Sequence, residues 1–166
     1  MHLARPITAG AVGGLLVLAG CGGSSGPSKA QYVAKADAIC TTAHTQTAPL
    51  IQQVTAAGAS LASGGAPSAR RLATVVRRLH DVAASGLARL RALRQPSGDH
   101  AAIERFLAPL ASVVDAIGQA ATALGSGQAP QALGLLQQVQ PVAQQVTSAA
   151  QTYGLQQCGS VLSALG

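Results

Sequence analysis

Apolar residues recur every three to four positions in four separate stretches of this chain, and no stretch alternates apolar and polar residues with period two. The first pattern places one greasy stripe on each of several helices; the missing second pattern removes the half-buried strand from the menu. Composition agrees. Alanine and leucine are the commonest of the 166 residues and glutamine is plentiful, asparagine is absent, and the aromatics number only two tyrosines and one phenylalanine. This is a helix-favouring mixture in which aliphatic side chains must fill the core.

The first stretch opens with Ser28 and Gln31 at capping-box spacing, so a helix is expected from Lys29. Its stripe runs Tyr32, Ala36, Ile39, Cys40, Ala43, Leu50, Val54 and Leu61. The phase survives Pro49, which predicts one kinked helix rather than two. Gly64-Gly65-Ala66-Pro67 is expected to break it, with Ser68 as the next N-cap. The second helix, about Ala69 to Arg94, buries Leu72, Val75, Val76, Leu79, Ala83, Leu87, Leu90 and Leu93, and stops at Gln95-Pro96-Ser97-Gly98. Asp99 then supplies negative charge at the start of the third helix.

That third helix has the clearest amphipathic pattern: Ile103, Phe106, Leu107, Leu110, Val113, Val114, Ile117, Ala121 and Leu124, ended by Gly125-Ser126-Gly127. The fourth starts near Pro130, a favourable first-turn position. Leu133, Leu136, Val139, Ala143, Val146, Ala150 and Tyr153 form its core side, with Gln137, Gln144 and Gln151 opposite. Gly154-Leu155 reads as a C-terminal cap, and Val161 to Leu165 as a short packed turn. The sum is an all-α fold: an antiparallel up-down four-helix bundle with kinked helices. Pro49, Pro109 and Pro141 bend their helices, either merely curving them around the core or splaying them to leave room for an apolar ligand.

Upstream of the bundle, Arg5 precedes an apolar run from Ile7 to Ala19, the layout of an export signal. Residues 7–20, fourteen in all, cover ~21 Å as a helix, short of the ~30 Å hydrocarbon core, which disfavours a transmembrane anchor. The run closes with Leu18-Ala19-Gly20-Cys21, which resembles the lipobox of bacterial lipoproteins. The resemblance implies a diacylglyceryl group on Cys21 and a mature chain that begins there. Residues 1–20 are then a lipoprotein signal peptide, 21–28 a Gly/Ser-rich flexible tether, and 29–166 the helical domain. The expected location is the extracytoplasmic face of the cell membrane, held by the lipid anchor and a palmitate-type acyl chain.

With Cys21 lipidated, Cys40 and Cys158 remain in an oxidising compartment, and an even remainder makes a structural disulfide the default. No CxxC or Cys/His spacing supports a redox or metal pair. In an up-down bundle the end of helix four returns to the start of helix one, so topology and bridge agree.

Charge is unevenly spread. Arg70, Arg71, Arg77, Arg78, Arg89, Arg91 and Arg94 crowd the second helix against Asp81 alone, while no charged side chain follows Asp115. The plain reading is a solvated outer face. The sharper one is that Arg70, Arg71, Arg77, Arg78, Arg89 and Arg91 meet an anionic partner: lipid headgroups, an acidic envelope polymer or a protein. Export, few aromatics and no recognisable module argue against nucleic acid.

Chemistry is scarce. The chain carries no GxSxG elbow, HExxH, phosphate loop or dinucleotide fingerprint. His80 and Asp81, adjacent on a helix, are expected to point apart. His100 and Glu104 share a face at i, i+4 without a third ligand, and Asp37 is expected to pair locally with Lys35 or an arginine. No catalytic residue, metal or cofactor is therefore expected.

Tyr32-Val33-Ala34-Lys35-Ala36-Asp37-Ala38-Ile39-Cys40, the Leu90-to-Pro96 step and the closing Gly154-Leu155-Gln156-Gln157-Cys158-Gly159 together resemble a family of small exported actinobacterial helical proteins without a characterised activity. That resemblance implies paired terminal cysteines and a cell-envelope location. The expectation is a non-catalytic, membrane-anchored bundle, serving as an adaptor that docks through its arginine helix or, alternatively, as a carrier of a small apolar or lipid ligand between its helices.

Overall fold

The computed structural model describes residues 26–163, without the side chains of residues 60–66 and 161–163. The signal peptide, Cys21 and the first part of the tether lie outside the described residues, as do the side chain of Leu61 and the last three residues. Helices account for almost all of the remainder: α1, Lys29–Arg91; α2, His100–Gly125; α3, Ala129–Tyr153; and a short α4, Gln156–Ser163.

The expected break at Gly64–Pro67 does not interrupt the helical assignment, which covers 63 residues and includes Pro49 and Pro67. A straight helix of that length would reach ~95 Å. Contacts show that α1 instead doubles back. A methyl group placed on Gly86 would sit 3.7 Å from Ala43 Cβ, and one on Gly26 would sit 3.5 Å from the Gln95 carbonyl oxygen. These pairings make residues 29–60 and 67–91 two antiparallel arms and centre the reversal on the Gly64-Gly65-Ala66-Pro67 stretch. The architecture is therefore the up-down four-helix bundle, with α1 supplying two of its four long rods.

Start and stop signals act largely as the sequence implies. Ser28 and Gln31 form the capping box: the Gln31 N–H donates to Ser28 Oγ at 3.2 Å, and the Ser28 N–H donates to Gln31 Oε1 at 2.9 Å. The second arm ends at Arg91, three residues short of the expected Arg94. Asp99 precedes α2 but makes no side-chain capping bond; its carboxylate accepts instead from the Tyr153 hydroxyl at 2.7 Å. α3 closes on Gly154 in the left-handed region (φ 103°), and the Leu155 N–H reaches back to the Ala150 carbonyl at 2.8 Å with its side chain buried. Only glycine takes that conformation without strain.

The core is one cluster running through all four helices. α2 contributes most: ten of its 26 residues are buried, including Ile103, Phe106 and Leu107. Its length and apolarity suit a membrane crossing by composition alone. Here that apolar face packs against α1 and α3. α3 departs from expectation in its first half. Leu133 is 56% exposed, while Ala132 is fully buried. At 100° per residue, Ala132, Ala143 and Ala150 align, and Leu133 falls to one side. α4 touches both α1 and α3 and lies between them, since those two meet little directly.

Two long-range links fix α4. The Cys40–Cys158 disulfide closes a separation of 118 residues, with Cα atoms 5.0 Å apart. Asp37, one turn upstream, accepts from the backbone N–H groups of Gln156 (3.2 Å), Gln157 (2.9 Å) and Cys158 (3.3 Å). The expected local pairing of Asp37 is thus replaced. A carboxylate serving three orphan donors at a helix start is better satisfied there than beside an exposed lysine.

Candidate functional site: an apolar cavity between the arms

The two arms do not close completely on each other. Between them and α2 lies a cavity of about 90 Å³. Ile39, Ala43 and Ile51 wall it from the first arm, Ala83 and Gly86 from the second, and Phe106 from α2. Cys158 of α4 forms part of one end, and α3 contributes no wall. Three small residues, Ala43, Ala83 and Gly86, are among its walls, and Gly86 faces Ala43 across the arms. Larger side chains at any of them would fill it.

Thr47 is the one residue of that lining with a polar side chain. It is buried, and its hydroxyl donates to the His44 carbonyl at 3.2 Å, so it offers no free donor to the interior. Such a cavity favours apolar matter and rejects charge. An occupant gains ~0.8 kcal/mol for each methylene taken from water. Position 47 continues the stripe from Ala43, so its burial was legible. The pairing of Ala43 with Gly86 was not, because it depends on the register of the two arms.

At the base of the bundle sits a second cluster. Tyr32 and Tyr153 meet edge to face with centroids 5.9 Å apart, and Lys29 Nζ lies 4.5 Å above the Tyr153 ring. Burial pushes the Tyr153 phenol well above its ordinary range, helped by its bond to Asp99 and by that residue's charge. Tyr32 is raised too, first by burial and then by the charge of Glu104. Both tyrosines therefore stay protonated at any physiological pH. The Tyr32 hydroxyl is buried and has no hydrogen-bond partner among the described residues.

Arg70, Arg71, Arg77, Arg78, Arg89 and Arg91 are all exposed. Spacings of seven and eleven put Arg71, Arg78 and Arg89 on one file, with Arg70 and Arg77 on a neighbouring one. Arg77 has a local role: its guanidinium lies 3.6 Å from where a Gly125 side chain would begin, beside the negative end of the α2 dipole. Among the described residues the one close pairing of a basic with an acidic side chain is His80–Asp81, at 3.3 Å. This corrects the expectation that those side chains point apart: rotation about the His80 side chain brings Nδ1 back to its neighbour. Gly118 makes room for that imidazole, since a methyl there would come within 2.9 Å of it.

His100 bonds Gln95 Oε1 through Nδ1, and both His100 and Glu104 are exposed. Among the described residues no group of three histidine, cysteine or acidic side chains is placed to hold a metal. No family model, no curated protein and no solved structure matches the chain.

Proposed function

We propose that this protein is a non-catalytic lipoprotein of the bacterial cell envelope, tethered to the membrane through Cys21, whose bundle takes a single apolar chain between the two arms of α1. The cavity lined by Ile39, Ala43, Ile51, Ala83, Gly86 and Phe106 carries this reading. Its walls suit the methylenes of an acyl chain. About four methylenes in it are worth ~3 kcal/mol of transfer free energy, enough to retain a lipid already concentrated at a membrane surface. The lipobox resemblance and the Gly/Ser-rich tether support the location, and the actinobacterial resemblance agrees with it.

Native mass spectrometry tests the reading on residues 21–166 with Cys21→Ser, purified from a bacterial host without detergent. A reproducible mass excess matching a lipid or fatty acid is expected, absent from Ala83→Leu. A bare mass for both proteins overturns it.

The second reading is docking on an anionic surface through the second arm. Arg70, Arg71, Arg78, Arg89 and Arg91 favour it, being exposed without an acidic partner among the described residues. Binding to anionic vesicles is then expected to fall steeply with salt and with paired substitution of Arg71 and Arg78 to alanine. Salt-insensitive binding contradicts it.

A further inference from the structure

The apolar cavity has a covalent cross-link in its wall. Both members of the Cys40–Cys158 disulfide line it, Cys40 from the first arm and Cys158 as the one residue of α4 that reaches it. Toward bulk solvent the two cysteines are nearly closed off, at 8% and 2% exposed. Reduction requires a thiolate to strike one sulfur directly and drive out the other. An incoming thiol therefore approaches through the cavity or after α4 has lifted away.

α4 is a short helix with few holds. Toward the first arm it is tied by the disulfide and by the N–H groups of Gln156, Gln157 and Cys158 on Asp37. On its other side it rests on α3, where a methyl placed on Gly159 would stand 3.1 Å from the Gln151 side chain. Severing the sulfur–sulfur bond leaves the Asp37 hydrogen bonds and side-chain packing to hold α4 in place. One end of the cavity is then walled by a segment that opens more readily than the long rods. A chain in the cavity touches that wall in its closed position and favours it, so a bound chain and an opened α4 oppose each other.

We propose that the Cys40–Cys158 disulfide is a redox latch on the apolar cavity: a dithiol opens it when the cavity is empty, and its opening releases a bound chain. The inference rests on the reading of the cavity as a site for an apolar chain. The chemistry is two successive thiol exchanges. One thiolate of the dithiol attacks a cysteine sulfur, forms a mixed disulfide and expels the other cysteine as a thiolate. The second sulfur of the dithiol then displaces the attached cysteine and closes into a disulfide of its own. Two electrons and two protons pass from the dithiol to the protein. Linkage makes the effect reciprocal: the factor by which a chain disfavours reduction is the factor by which reduction weakens the chain's binding.

The test uses mature residues 21–166 with Cys21→Ser, so that the bridge holds the only cysteines, and dithiothreitol as the dithiol. Calorimetry first measures dodecanoate binding to the oxidised protein. Reduction is then followed by thiol titration with and without dodecanoate. At ten times the dissociation constant about one molecule in eleven is free, so the rate should fall about tenfold. Ala83→Leu, with its cavity filled, should be reduced at one rate in both conditions. Without dodecanoate the rate should stay nearly flat in urea below the unfolding transition, the mark of local opening. Reduced protein that keeps its helical circular dichroism should bind dodecanoate at least tenfold more weakly than oxidised protein. The kinetic arms are read on folded, oxidised protein, so they decide even where the reduced form loses its helices.

An unchanged reduction rate under saturating dodecanoate overturns the latch and leaves the cavity reading standing. Equal protection of Ala83→Leu, or a rate that climbs with urea as steeply as global unfolding, does the same. So does equal dodecanoate affinity in oxidised and folded reduced protein. No dodecanoate binding by the oxidised protein removes the cavity reading, and the latch with it.

Discussion

The two halves of the bundle are held by different means. At the base, long-range polar and covalent links accumulate within a few turns: the disulfide, the three N–H groups on Asp37, the Tyr153–Asp99 bond and the edge-on tyrosine pair. Further up, between the middle of the arms, the hydroxyls of Thr41, Thr42, Thr45, Thr47 and Thr55 bond only to carbonyls of their own helix. There the arms border the partly open apolar cavity, which reaches the disulfide at one end, and Leu133 of α3 stands in solvent. Among the described residues the long-range covalent and polar links are gathered where the chain ends are brought together.

The contrast can be broken at its strongest point first. Replacing Cys40 and Cys158 by serine releases a closure of 118 residues and is expected to cost ~4–5 kcal/mol by the chain-entropy model, as a lower denaturation midpoint. Hydrogen exchange should then show α4 opening ahead of α2. A loss spread evenly over the molecule would mean that the base is not the clamp. Asp37→Ala comes next. It strips a charged acceptor from three N–H groups and should cost ~1–2 kcal/mol, with Asp37→Asn recovering about half.

At the cavity the sign reverses. Gly86→Ala adds a methyl at ordinary contact distance from Ala43 and raises helix propensity, so a gain of ~0.5–1 kcal/mol in chemical denaturation is expected. The smallest effect at neutral pH belongs to the tyrosines. Their folded pKa values lie above the unfolded value near ~10, so their contribution is intact below that pH and is lost as pH rises beyond it. Phenolate absorbance should therefore lag behind free tyrosine above pH ~10 and appear together with unfolding. Free titration of both rings in folded protein would contradict the burial described for them.

The rods were legible in the chain because they depend on local spacing. The stripe of α2, the capping box at Ser28 and the left-handed turn at Gly154 each need only a few neighbouring residues. Cys40 and Cys158 were legible as a pair from the bundle topology and from the expectation that Cys21 carries a lipid on an exported chain. What escaped depends on register between distant segments. Asp37 looks like a surface acid until α4 arrives 119 residues later. Ala43, Ala83 and Gly86 look like ordinary small residues until the arms pair and set them around one cavity. That the Tyr32 hydroxyl is buried with no partner among the described residues is likewise invisible in a stripe that marks the residue only as apolar. Leu133 misled for a different reason: leucine's hydrophobicity outweighed a phase that Ala132, Ala143 and Ala150 carry more consistently.

The claim that the arms of α1 hold an apolar chain is tested most directly by calorimetric titration of dodecanoate into residues 21–166 with Cys21→Ser and into the same protein with Ala83→Leu. Saturable binding by the first, weakened at least tenfold in a second protein that melts no lower, is the required result. Equal binding by both, or none by either, would contradict it.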